Sequence, residues 1–428
     1  MSLLEKASII YNSLKELKKS ILQSYRTEAF LVIALLVFII TPLIFYAGYR
    51  IEAAANQVNI YVSPKLEELF GKKMTESLFQ EFIDKNPDIR VRTANSAAAA
   101  AGEIDILIFE EGDFSPLAAA QMLLELNDFT NFDSGTRQLA VPLVSFMDML
   151  FYNKDILTAA GFGSPPKTRD EYLNYARTVT RGEFDGLKEP NPSGAAMSLN
   201  SADRQALSRD IFTWIWASGG SFWPGGGKPS LNARAITADL TFLGTLFREN
   251  IITPGVFETT GDLRIEQFAQ GKIALMIAST RAIPFIRSKM GDERFGITTV
   301  PDSGAGGRYN INITAIYAGI NANSSNTEEA WRFMEFLAEK SSFLCAELNA
   351  VPGVVSNIIP GDYVRDDIFY SKAWDIFESA IIAESFSGRA NAQRYEDIFM
   401  EELLVFFESA RTPQQTVTAI QQRWDAID

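Results

Sequence analysis

Apolar positions along this chain fall into three patterns. Residues 29–49 (AFLVIALLVFIITPLIFYAGY) run for 21 positions without a charge, and ~20 apolar residues let an α-helix cross a hydrocarbon core. Upstream, Leu3, Ala7, Ile10, Leu14, Leu17 and Ile21 recur at helical spacing beside lysines. That stretch is expected either to lie as a helix on the inner leaflet or to fray as a cytoplasmic tail. From residue 57 onward, short apolar runs alternate with stretches of helical period, which predicts an α/β body.

The body reads element by element. Strands are expected at 56–62, 89–93 and 104–109, with a helix at 75–85 that carries Leu78, Phe79, Phe82 and Ile83 and stops at Asn86-Pro87. The alanines at 97–101 predict a further short helix. Residues 141–155 form an extended stretch. Thr168 with Glu171 then predicts a capping box for a helix faced by Tyr172, Tyr175, Ala176 and Val179. A strand at 195–199 precedes a helix that opens at Ser201 and closes at Gly219-Gly220. Further strands are expected at 273–278, 295–300 and 311–320, followed by an Asn326-capped helix over 327–340. Thr412, Pro413 and Gln415 start a last helix, with Val417, Ile420 and Trp424 facing inward. The three glycines at 225–227 lack the strand-to-helix setting and the Lys-Ser/Thr pair of a phosphate-binding loop.

Charge orients the apolar run. Lys6, Lys15, Lys18, Lys19 and Arg26 precede it and only Arg50 follows closely, so the positive-inside bias puts the N-terminus in the cytoplasm and the body outside. A signal peptide cut at Ala53-Ala54-Ala55 is the competing reading, but the long preceding region and the length of the run favour an uncleaved anchor. The chain has a net charge of −14; residues through Ala55 hold six cations and four glutamates, so the body carries −16. Such acidity argues against nucleic acid as a partner.

Two residue types narrow the chemistry. Cys345 is the single cysteine, so no intrachain disulfide forms, and the residue is expected to be a small buried apolar group. Histidine is absent, which removes Ser-His-Asp triads, Cys-His pairs and His-ligated zinc. No catalytic residue, metal ligand or cofactor is expected.

Three phrases then coincide. Val141-Pro142 leads to Leu150-Phe151-Tyr152-Asn153-Lys154-Asp155, Ala160-Gly161-Phe162 and Pro165-Pro166-Lys167-Thr168-Arg169-Asp170-Glu171. Phe268-Ala269-Gln270-Gly271-Lys272-Ile273-Ala274-Leu275-Met276 follows, and last comes Ile320-Asn321-Ala322-Asn323-Ser324 running into Glu329-Ala330-Trp331-Arg332-Phe333-Met334. In this order they resemble the extracellular solute-binding proteins of ABC importers, in the group similar to maltose- and other sugar-binding proteins (family 1). The resemblance covers about 57–428. A helical anchor in place of a cleaved signal or a lipidated cysteine departs from the commonest pattern.

The resemblance implies an α/β, two-lobed periplasmic-binding-protein-like fold with discontinuous lobes and hinge crossovers, preceded by one N-terminal transmembrane helix. The expected division is a cytoplasmic juxtamembrane segment at 1–28, the span at 29–49 and a linker at 50–56. Lobe 1 is then 57–150 with 277–319, and lobe 2 is 151–276 with 320–428. Crossings between lobes are expected near 148–152, 276–279 and 318–321. The implied task is capture of a small solute, a sugar or oligosaccharide, by a monomeric body at the cell surface or in the periplasm, and delivery to permease subunits.

Candidate ligand contacts follow from the same comparison. Tyr61 and Ser63 follow the first strand. Glu110, Glu111 and Asp113 sit at the end of the third, where open α/β sheets bind ligands. Ser145, Phe146 and Asp148 lie on the extended crossover, with Phe146 at the place where relatives carry a carboxylate. Ser279 and Arg281 follow the second phrase, where relatives carry an aromatic. Phe222 and Trp223 lie beyond the glycine turn, Tyr309, Asn310 and Asn312 near a hinge, and Arg394 and Tyr395 in the last segment. Two readings compete with import. One is a ligand-sensing subunit for a receptor. The other is a glycoside hydrolase using Glu110 or Glu111 with Asp148, whose spacing would have to suit one of the two carboxylate geometries.

Overall fold

The computed structural model describes residues 3–22, 58–95, 103–127, 138–187, 189, 191–223, 228–302, 310–352, 366–383, 386, 389 and 391–427. The expected span at 29–49, the alanine run at 97–101 and the glycines at 225–227 lie outside these residues. Among the described residues, no helix is long and apolar enough to cross a membrane. The chain forms two compact units: residues 1–60 with 77–92, and residues 61–76 with 93–428.

In the first unit, helix α1 (Leu3–Leu22) realises the upstream periodicity. Ile9, Tyr11, Leu14 and Leu17 on it are exposed. Strands β1 (Val58–Val62) and β2 (Ile89–Thr93) each begin here, and Val58 N donates to Asp88 O at 3.0 Å. Leu78, Phe79 and Phe82 are buried as their spacing predicts.

In the second unit, helix α2 (Lys65–Phe70) follows β1, and helix α3 (Lys72–Lys85) begins here and runs on into the first unit. Strand β3 (Ile106–Glu110) pairs in parallel with β1 at Val62–Ile106 and leads into helix α4 (Glu111–Ala119). Asp105 ties this corner together. Its carboxylate accepts from Tyr61 N at 2.7 Å, from Ser324 Oγ at 2.6 Å and from the Asn326 side-chain amide at 3.2 Å. Asn326 thus spends its side chain on Asp105 and does not cap the helix that follows it.

Strand β4 (Val141–Asn153) is the spine of this unit. After it come α5 (Lys154–Ala159), α6 (Arg169–Arg181), β5 (Ser193–Ala196), α7 (Arg204–Ala217), α8 (Ala233–Arg248) and α9 (Gly261–Ala269). Then follow β6 (Ile273–Ser279), a 3₁₀ turn at Thr280–Ala282, α10 (Ile283–Met290), β7 (Phe295–Thr298), β8 (Asn310–Ile311) and β9 (Ile313–Ile320). The last elements are α11 (Thr327–Glu339), α12 (Ser341–Leu348), β10 (Val351–Pro352), α13 (Ile368–Ser379), β11 (Ile381–Ile382), α14 (Ala392–Glu408) and α15 (Pro413–Asp425).

Strand β4 changes partners midway. Residues 141–147 pair antiparallel with β9, ending at Met147–Ile313, and β10 adds Val351–Ser145. From Asp148 onward the partners are β6, starting at Asp148–Ser279, and β7. β6 stays beside this second half along 275–279. The turn that follows it touches the first half, where Met147 N donates to Thr280 Oγ1 at 3.1 Å, and past Asn312 strand β9 pairs with that half.

Alternation along β4 sorts its side chains between two cores. Met147, Met149 and Phe151 join Met276, Phe295, Phe369 and Trp374. Leu150 faces the opposite core, built on Ile211, Phe212 and Ile215 of α7, Leu240 of α8, Phe399 of α14 and Trp424 of α15. Cys345 is fully buried, as a small apolar residue should be.

Local signals fixed most helix ends. α15 carries the full box: Thr412 Oγ1 accepts from Gln415 N at 3.3 Å, and Gln415 Oε1 accepts from Thr412 N at 2.9 Å. At α6, Thr168 Oγ1 accepts from Glu171 N, but the Glu171 carboxylate reaches one residue further back, to Lys167 N at 2.6 Å. α7 is capped by Asp203, which accepts from Ala206 N, and not by Ser201. Its end matches the sequence: Gly219, at φ +75°, donates to Trp216 O, and Gly220 N donates to Ile215 O. Gly194 meets a different demand. A Cβ there would lie 2.0 Å from Ala176 O, so β5 and α6 pack at a distance only glycine permits.

Candidate functional site

Polar groups collect where β4 exchanges partners. Asp148 lies on the α7 face of the strand, in phase with Leu150, and is 3% exposed. Its carboxylate accepts from Arg209 Nε at 3.1 Å, Thr213 Oγ1 at 3.4 Å and the Asn312 side-chain amide at 2.5 Å. Asp148 N also donates to Asn312 O at 3.0 Å. One carboxylate therefore joins β4, α7 and the break between β8 and β9. Beside it is a cavity of about 10 Å³, lined by Asp148, Thr213, Asn310 and Ile311 among others, with room for about one water.

Behind Asp148 lies a second buried pair. Arg264 of α9 is fully buried against Asp210, whose carboxylate also accepts from Ser198 N at 2.6 Å. Burial, and then the charge of Arg209, push the Arg264 guanidinium down to about 9. Two arginines held this close need both carboxylates as counter-charges. Arg209, Asp210 and Thr213 escaped the sequence reading, although polar residues set among the apolar run from Leu207 to Trp216 were a signal for them.

A second, open cluster joins three segments. Glu110, ending β3, accepts from Lys65 at 3.1 Å and from Arg281 Nη1 at 3.3 Å. Burial pushes the Glu110 carboxyl up, but the Lys65 hydrogen bond and the charges of Arg281 and Lys65 outweigh it. The net position is below the usual carboxylate range. Arg281 lies over the Phe146 ring, 5.5 Å from its centroid, within cation–π reach. Ser279 Oγ accepts from Arg281 N at 3.3 Å and holds the turn.

The other expected contacts have separate places. Glu111 accepts from Ala315 N at 3.1 Å and Tyr317 Oη at 3.4 Å, and burial followed by this carboxylate raises the Tyr317 phenol. Asp113 and Arg394 are exposed, Tyr61 is half-buried, and Asn310 pairs with Ile381. Ser63 is buried and accepts from Ile108 N at 2.9 Å. The Ser145 hydroxyl is buried without a partner. Phe222 is fully buried among Phe212, Phe386, Phe399 and Trp424. Trp223 and Tyr395 flank that core, with Arg389 4.3 Å over the Trp223 ring. Tyr309 lies outside the described residues.

An α/β body whose central strand serves two sheet halves belongs to the class of two-lobed periplasmic-binding-protein folds. The chain is a member of the bacterial extracellular solute-binding protein family, whose model matches residues 71–342. A relative in Deinococcus radiodurans, described as a "Probable ABC transporter-binding protein", is 22% identical over 257 residues, which is 58% of this chain and 59% of that protein. The match thus spans less than two-thirds of that relative's length. Maltose-bound MalE3 of T. maritima superposes with a TM-score of 0.66 at 20% identity, covering 86% of this chain and 99% of that one. The cyclic α-maltosyl-1,6-maltose binding protein of Arthrobacter globiformis gives 0.67 at 17% identity, over 86% and 98%. This family and these neighbours are binding proteins and not enzymes.

Proposed function

We propose that this chain is a membrane-tethered, extracytoplasmic solute-binding subunit that closes two lobes on a carbohydrate and hands it to the permease of an ABC importer. The observation that carries the reading is the partner exchange of β4 at Met147–Asp148. One lobe is built on β3, β9 and the first half of β4, the other on β5, β6, β7 and the second half. A strand shared in this way lets two halves turn about a short segment, and a solute favours the closed form by binding it better. The neighbours' maltose and maltosyl ligands support a carbohydrate. The apolar run at 29–49 is the tether, and α1, with Ile9, Tyr11, Leu14 and Leu17 exposed, lies on the cytoplasmic leaflet.

Thermal unfolding of the full chain in detergent micelles, against a carbohydrate library, tests this. A solute at a hundred times its dissociation constant adds ~2.7 kcal/mol and raises the midpoint. Unfolding that no carbohydrate shifts would refute the reading.

A further inference from the structure

We propose that the captured solute carries an anionic group, a carboxylate or phosphate, which Arg281 and Lys65 take in place of Glu110. This inference rests on the solute-binding reading above and names the chemical class of its ligand. Two cations from different segments converge on Glu110; Lys65 also pairs with the exposed Glu68 at 3.7 Å, whereas Arg281 has Glu110 as its one carboxylate among the described residues. The cluster is also accessible: the side chains of Arg281 and Lys65 are 51% and 33% exposed, whereas Asp148 and Arg209 are at 1% and 13%.

Arg281 is positioned but not saturated. The Phe146 ring lies under its guanidinium, and Ser279 fixes its backbone. Among the described residues only Nη1 meets an acceptor, which leaves the Nε and Nη2 edge open. A carboxylate or phosphate fits that fork with two parallel charge-assisted bonds. A neutral hydroxyl would have to displace Glu110 from a stronger bond, and a cationic solute would meet two like charges. The other carboxylate close in sequence, Glu111, is engaged by Ala315 N and Tyr317 Oη. The negative charge of the body is screened beyond ~8 Å at physiological salt, so affinity is set locally, by the open fork of Arg281 and by how readily Glu110 gives way.

The test uses the full chain in detergent and a panel of neutral hexoses and disaccharides, each beside its uronic acid and its phosphate. The acidic member is expected to shift unfolding at about one-tenth the concentration its neutral partner needs or less, a ΔΔG of ~1.4 kcal/mol. The uronate and phosphate arms identify which anion is read. Arg281→Gln should abolish the preference, and circular dichroism should show the variant folded. Glu110→Gln gives the sharper sign: it frees Arg281, leaves Lys65 with Glu68 alone and tightens an anionic solute, whereas at a site for neutral polyols it removes an acceptor and weakens binding. Neutral sugars binding as tightly as their acids, or Glu110→Gln weakening the acid, would overturn this inference and leave solute capture standing. No shift from any member would overturn both.

Discussion

Two ion-pair clusters, Asp148 with Arg209 and Glu110 with Arg281, lie close together in the chain's fold and have opposite characters. Both tie a strand to segments more than fifty residues away. The Asp148 carboxylate is almost wholly buried, and Arg209, Thr213 and Asn312 surround it. Arg281 is half exposed and Glu110 only partly covered, and the arginine has an unused edge. The difference lies in the cost of exchange. A buried charge stripped of its partner is left without water to replace it. An exposed pair trades partners for little. The first cluster therefore fixes the geometry where β4 changes partners, and the second can exchange partners at little cost.

Mutations should separate the two by size of effect. Asp148→Ala leaves Arg209 and Asn312 facing a void, and urea unfolding should show a loss of ~3–5 kcal/mol. A loss below about 1 kcal/mol would mean that the buried cluster is no more committed than the open one. Asn312→Ala removes one hydrogen bond to a charged group but spares the backbone bond to Asp148 N, and should cost ~1.5–3 kcal/mol. Glu110→Gln should cost less than ~1 kcal/mol at neutral pH, because its cationic partners stay in contact with water.

The pH dependence of that last loss follows from the depressed Glu110 carboxyl. Its folded value lies below its unfolded one, so its stabilisation is present above the unfolded value and fades as pH falls through the folded one. Denaturation of wild type and Glu110→Gln should therefore converge below the ordinary carboxylate range. A gap that persists there would trace the loss to packing and not to charge.

Much of the scaffold was legible because its signals are local. The capping box at Thr412, the stop at Asn86-Pro87 and the glycine turn after α7 involve residues within a few positions of one another. Where local reading erred, a distant group had outbid it. Asn326 gave its side chain to Asp105, 221 residues away in sequence, instead of capping α11. Phe222, expected as a ligand contact beyond a glycine turn, packs in a core completed by Phe399 and Trp424.

By itself the sequence determined the α/β succession of elements, most of their ends, and the three phrases that mark the solute-binding family, since backbone preference and side-chain period act over one or two turns. Only the tertiary structure decided that β4 serves two sheet halves, that Asp148 is enclosed, and that Arg281 faces Glu110 over Phe146. Those outcomes depend on contacts between segments far apart in the chain, and whether a carboxylate meets water or an arginine is settled only when distant segments exclude the solvent between them.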